Sequence, residues 1–355
     1  MAQMTSNERF RRMYQHKEAD RVPITDGPWR STIERWHREG MPQGADYRDF
    51  FGLDYHTNVF ADNSPRYPEK VLEENDEYKI HTTGWGATIK NWKHSGGVPE
   101  FMEFTITTPD AWREAKKRMT PARDRIQWEA LKKNYPIWKE KGYWIEPYFW
   151  FGFDVTHSWM VGTERFLMAL VENPEWCIDI FNTQLDLDIA IFDMMWDEGF
   201  KFDCINWPDD LGFKAHQFMS VPMFRELVKP VMKRAVDWAH ARGVYTRLHS
   251  CGNVMPFVPE FVDIGIDCLN PLEVKAGMDP IAIKKQFGDR LALNGGLNAA
   301  IWEDFDVFAA EMKRLVPVLK QGGGYILSSD HSVPEAVSLD LFRRTVELGK
   351  ELGKY

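Results

Sequence analysis

Eight times along this chain, a short apolar run that reads as a strand is followed by a segment that reads as a helix. Such alternation lays the strands parallel, because each helix returns the chain over a right-handed crossover. The expected strands are Arg21–Asp26, His56–Asp62, Tyr143–Phe151, Phe202–Trp207, Val244–His249, Asp267–Pro271, Leu291–Asn294 and Gly324–Ser328. The spacing predicts helices over Trp29–Gly40, Thr163–Val171, Pro174–Glu198, Val221–Arg242, Pro256–Ile264, Pro280–Phe287, Phe305–Lys320 and Leu339–Leu352. Pro222 and Pro280 sit where first-turn prolines belong, and Gly243, Gly265, Gly288 and Gly322 sit just past helix ends. The expectation is an α/β fold, a (β/α)8 barrel in one domain over residues 1–355.

Residues 64–112 break the rhythm. Tyr78–Thr83 and Gly86–Trp92 alternate in polarity around Gly84-Trp85, which predicts a β-hairpin, with Phe101–Thr107 as a further strand. This segment reads as an insertion between the second and third units, folded over the barrel mouth. It is either a lid or docking surface, or structural decoration.

In such a barrel, side chains at successive strand ends converge on one face. His249 and Cys251, one residue apart at the end of the fifth strand, can turn toward a single point, and Gly252 then lets the chain leave. Imidazole and thiol together suit Zn²⁺ with an exchangeable position. Glu273, after the sixth strand, is either a further ligand or general acid, or a rim partner of Lys275. His331, after the eighth, is the candidate third ligand. Asp330 orients an imidazole, faces the site itself, or caps a helix. Asp209 and Asp210 end the fourth strand beside Trp207, as candidates for substrate binding or proton donation. Asp26 and Asp62 end the first two strands, and Asn294 ends the seventh.

With 15 Trp and 23 Phe, the chain has rings to spare for a flat-walled pocket as well as a core. Trp29, Trp150 and Trp207 are expected to line it. A net charge of −9 without a basic run argues against nucleic acid. Four cysteines, Cys177, Cys204, Cys251 and Cys268, are too few and scattered for a disulfide framework. Met1–Glu8 lacks an apolar leader core, and no apolar run approaches the ~20 residues of a bilayer span. A reduced, cytoplasmic setting away from membranes is expected.

Several motifs resemble those of the uroporphyrinogen decarboxylase superfamily, in its cobalamin-dependent methyltransferase branch. They are Asp20-Arg21-Val22-Pro23, Asp209-Asp210-Leu211-Gly212, His249-Ser250-Cys251-Gly252-Asn253, Asn270–Asp279, Asn294-Gly295-Gly296 and Gly323–Pro334. The resemblance implies a (β/α)8 barrel and a zinc ion held by the His and Cys of the H-x-C motif, here His249 and Cys251. In that branch a Cys near the last strand completes the set; His331 stands there in this chain, and Glu273 falls where a carboxylate joins the shell. The Arg-containing motif that binds acidic tetrapyrrole side chains is absent after Asp26, which argues against tetrapyrrole decarboxylation. The implied activity is methyl transfer from a methoxylated donor to the Co(I) of a corrinoid on a separate protein, and the chain's aromatic richness favours a methoxyarene as that donor. The alternatives are a related decarboxylase, a methylcorrinoid:thiol methyltransferase, or a corrinoid or tetrapyrrole carrier without turnover. A homodimer is left open as the assembly.

Overall fold

The computed structural model describes residues 3–94 and 98–355. Met1 and Ala2 of the polar start, and residues 95–97 of the inserted segment, lie outside the described residues. The strands are β1 (His56–Val59), β2 (Val71–Glu74), β3 (Tyr78–Thr82), β4 (Ala87–Trp92), β5 (Glu100–Phe104), β6 (Trp144–Pro147), β7 (Cys204–Pro208), β8 (Gly212–Phe213), β9 (His216–Gln217), β10 (Tyr245–His249), β11 (Cys268–Asn270), β12 (Ala292–Asn294) and β13 (Tyr325–Ile326).

Parallel pairing organises seven of them. One sheet runs β13-β12-β11-β10-β7, and a second pairs β1 with β6. Their side chains are largely buried; every residue of β6, β12 and β13 is. That is why these segments read as continuous apolar runs instead of alternating ones. Between the sheets, Tyr148 bridges Asn206 and the Asp203 N–H donates to Ile145 O at 2.9 Å. On the far side, Ile24 bridges Leu327, and the Asp54 N–H donates to Ile24 O at 2.9 Å.

The expected first strand is therefore reduced to isolated bridges. Pro23 has no N–H to give, and Pro28 follows soon after, so no ladder can be sustained there. Regular pairing forms two parallel sheets joined by single bridges.

The segment between β1 and β6 folds as a four-stranded antiparallel sheet, β2-β3-β4-β5. Its first strand, Val71–Glu74, is exposed along its whole length and carries no alternation, so nothing in the sequence marks it. The last is Glu100–Phe104, ending before the expected Thr107.

The later helices match the expected spans closely. Val221–Arg242 is the exception, because its run is Val221–Met223, a π-helical stretch Phe224–Val228, then Lys229–His240. Pro230 removes an N–H from the ladder, which accounts for the local widening. Helices at Ser6–Tyr14, Tyr47–Phe51, Pro109–Lys116 and Trp128–Glu140 had no counterpart in the sequence reading.

Ser6–Tyr14 decides which end of the strands is free. A Thr5–Glu8 capping box starts it. Its Phe10 and Tyr14 then stack on Trp144, at ring-centroid distances of 5.7 and 5.2 Å. Met13 joins Cys204, Cys268 and Ala292, which open β7, β11 and β12, in the same buried cluster. One end of the strands is thereby closed, and Cys204 and Cys268 are packing residues, as is Cys177 in the larger core. No described helix is long and apolar enough to cross a membrane.

Candidate metal centre and substrate cavity

At the open, C-terminal ends of the parallel strands lies a cavity of about 1120 Å³. His249 reaches it from the end of β10 and Cys251 from two residues beyond. Cys251 Sγ lies 3.4 Å from His249 Nε2, and Asp210 Oδ1 lies 3.8 Å from the same nitrogen. Donor atoms of Asp210, His249 and Cys251 all fall within 4.8 Å of one another.

The surrounding loop fixes this grouping. Asp210 also accepts the Cys251 N–H at 2.8 Å, and the Asp209 N–H donates to His249 O at 2.8 Å. Gly252 has φ 74°, and a Cβ there would meet the Gly212 carbonyl carbon at 2.3 Å. Only glycine lets the two strand-end loops approach so closely.

The donor set fits a thiophilic divalent cation. His249 Nδ1 lies 2.6 Å from Asn270 Oδ1, whose amide nitrogen donates to Asn294 O at 3.1 Å. Asn270 therefore presents its oxygen, Nδ1 carries the proton, and the lone pair of Nε2 faces Cys251 and Asp210. Burial raises the Cys251 thiol, and the nearby carboxylates of Asp210 and Glu273 push it further the same way. A thiol held neutral by burial and neighbouring carboxylates is what a bound cation would relieve.

Two of the expected ligands stand outside this group. His331 lines the same cavity but is exposed and lies outside the cluster. Glu273 is buried with Oε2 accepting the Gly252 N–H at 2.6 Å and Oε1 3.6 Å from Lys275, so it braces the loop that carries Cys251. Asp210 stands in the third position of this group. Sequence spacing could not show this, because Asp210 and Cys251 meet across two different strand ends.

The remaining acids divide by burial. Asp209 is wholly buried, accepts the Asp154 N–H at 2.7 Å, and does not line the cavity. Asp330 accepts the N–H groups of Val274 and Ala299, both at 2.9 Å, at the start of two 3₁₀ turns. It also lines the cavity, and no helix begins beside it in the chain for it to cap. Asp26 and Asp154 line the cavity, and burial pushes each carboxyl up to about 7. For Asp26, hydrogen bonds from the Ser329 N–H and hydroxyl, at 3.1 and 2.5 Å, pull partly against this. Asp154 was missed in the sequence; its one signal is a lone carboxylate directly after the aromatic run Phe149–Phe153.

The expected aromatic wall is split. Trp29 is 46% exposed and lines the cavity at the strand ends, as does Asn294. Trp207 is not a wall residue: it is 0% exposed and packs 5.6 Å from Phe151, because the β7 alternation points it away from the mouth into the core. Trp150 and Asp62 line an adjoining cavity instead.

The uroporphyrinogen decarboxylase (URO-D) family model matches residues 155–352. No curated protein matches the chain in sequence. Among solved structures, a methyltransferase from Methanosarcina mazei is similar with a TM-score of 0.64 and 16% identity, covering 98% of this chain and 99% of its own. A B12-independent methionine synthase from Shewanella sp. W3-18-1, in complex with selenomethionine, reaches a TM-score of 0.45 and 10% identity over 96% of each chain.

Proposed function

The chain belongs to the uroporphyrinogen decarboxylase family, and from that premise we propose that it is a methyltransferase that demethylates a methoxylated aromatic compound. The acceptor is the Co(I) corrinoid of a separate protein, a co-substrate approaching the cavity mouth. The eight strand segments, joined by their bridges, are read as a (β/α)8 barrel in one domain, with the antiparallel sheet as an insertion beside its mouth. The observation that carries the reading is the His249–Cys251–Asp210 group, an N/S/O donor set opening on a cavity of about 1120 Å³.

In the reaction, the bond between methyl carbon and ether oxygen breaks, and the methyl passes to the corrinoid as the phenolate leaves with the bonding pair. A phenolate has a conjugate acid near ~10, so it is a poor leaving group at neutral pH without help. Zn²⁺ held by His249, Cys251 and Asp210 would supply Lewis-acid assistance to that oxygen. Asp26, held near a pKa of about 7, keeps a proton available in the same cavity for the departing oxygen. Trp29 offers a face for the ring, and Asn294 supplies a polar contact.

The test is an anaerobic assay joining this protein, a reduced corrinoid protein and a panel of methoxyarenes, followed through the cobalt spectrum. Methylation of the corrinoid that disappears on chelation and returns with Zn²⁺ is expected. A protein that instead releases CO₂ from carboxylated substrates, indifferent to chelator, would overturn the reading.

A further inference from the structure

Beside the metal cavity, under the antiparallel sheet, lies a second cavity of about 570 Å³ that methyl transfer does not use. Its walls are rings: Phe60, Trp85, Tyr148, Trp150 and Trp159. Trp85 and Trp159 stand steeply to Trp150, at centroid distances of 5.2 and 5.5 Å and interplanar angles of 75° and 68°. Tyr148 does the same at 6.4 Å and 66°. Parallel walls would make a slot for a planar molecule. Rings that meet at steep angles make a box, which suits a compact, rounded group.

The polar lining is acidic. Asp62 and Glu69 contribute carboxylates. Asp62 is engaged by Arg66, which also pairs with Asp124. Glu69 has no ion-pair partner among the described residues, and its Oε1 lies 3.3 Å from where a Cβ on Gly84 would stand. The carboxylate thus sits against the backbone that carries Trp85, with no cation beside it. His81 does not offset it, because its two ring nitrogens are engaged by Thr82 O at 3.2 Å and Asn91 Nδ2 at 3.3 Å.

Aromatic faces around a void, with an unpaired carboxylate at the edge, favour a weakly hydrated organic cation. A hard divalent cation such as Ca²⁺ or Mg²⁺ would need an all-oxygen shell that these rings do not provide. We propose that this cavity binds a methylated ammonium group, with the rings of Trp85, Trp150 and Trp159 against its methyls and Glu69 as counter-charge. It is a site separate from the metal centre, meeting that cavity at Phe60 and Trp159, which line both.

Calorimetry on the full chain tests this with choline and its neutral isostere 3,3-dimethylbutan-1-ol. Saturable choline binding is expected, with the isostere about tenfold weaker, since only the charge distinguishes them. Trp150→Ala should abolish choline binding. Glu69→Gln, at an exposed position where folding is not at stake, should weaken choline about fivefold and leave the isostere unchanged. Should Trp150→Ala fail to fold, Glu69→Gln decides. Equal affinity for choline and the isostere, or no effect of Glu69→Gln, would make the cavity an apolar box and overturn the proposal. Absence of saturable binding at millimolar choline would overturn it as well.

Discussion

At the scale of single residues, the imidazole of His249 is aimed by a side chain that never touches the cation it would serve. Asn270 holds Nδ1–H at 2.6 Å, and rotating or removing that amide frees the ring to present the wrong nitrogen. Asn270→Ala should cost roughly 10–100-fold in zinc affinity with little loss of fold, measured by competition with a chromophoric chelator. Asp210→Asn and Cys251→Ser should strip most of the metal, whereas His331→Ala should keep it. Retention by Asp210→Asn with loss by His331→Ala would restore the sequence-based ligand set. Asp26 carries the pH dependence. Its acid form is the one that donates, so kcat/KM should fall as pH rises through about 7, and Asp26→Asn should be slower and lack that limb. Stability follows the same sign: below about 4 both states are protonated, and between there and about 7 the folded state holds the extra proton. Wild-type stability therefore declines over that window as pH rises. Asp26→Asn, whose Oδ1 can still accept both Ser329 bonds, should make this decline shallower in thermal melts across pH, leaving the part that Asp154 and Asp188 contribute.

At the scale of elements, the site was legible where one strand end carries two donors and illegible where two ends must meet. His249 and Cys251 share a strand end, so their spacing alone announced a pair. Asp210 joins them only because Gly252 lets its loop approach the Asp209–Gly212 loop, a contact between elements that no period encodes. Gly252→Ala would place a methyl 2.3 Å from the Gly212 carbonyl carbon, so the loops must separate. A loss of metal with a lowered melting temperature is expected, and unchanged zinc content would show that the loops have slack. Trp207 shows the opposite error, a wall residue assigned by its place at a strand end when its side chain is wholly buried in the core. Trp207→Ala should cost about 3–5 kcal/mol in chemical denaturation with KM for the methoxyarene unchanged in the folded fraction. A raised KM at full stability would return Trp207 to the cavity wall.

At the scale of the whole molecule, the βα rhythm survives because most of the parallel strands are buried and the later helices have sharp ends. The less regular first third mixes prolines, an edge strand without alternation and four short helices, which periodicity resolves poorly. That irregular part also shapes the mouth. Trp29, Phe60 and Val98 line the strand-end cavity while remaining 46%, 58% and 84% exposed. Large apolar groups left in water around an opening mark a surface that another molecule covers. Under the proposed reaction, that molecule is the corrinoid protein, which must bring its cobalt over the mouth. Apolar contact at the rim contributes to docking and not to chemistry. The double variant Phe60→Ser, Val98→Ser should raise the KM for the corrinoid protein by about tenfold or more, since two apolar groups leave the interface. Activity with free, reduced cobalamin at saturating methoxyarene should change much less, because that acceptor needs no rim. Equal losses with both acceptors would place these side chains against the methoxyarene, and the partner would then dock elsewhere.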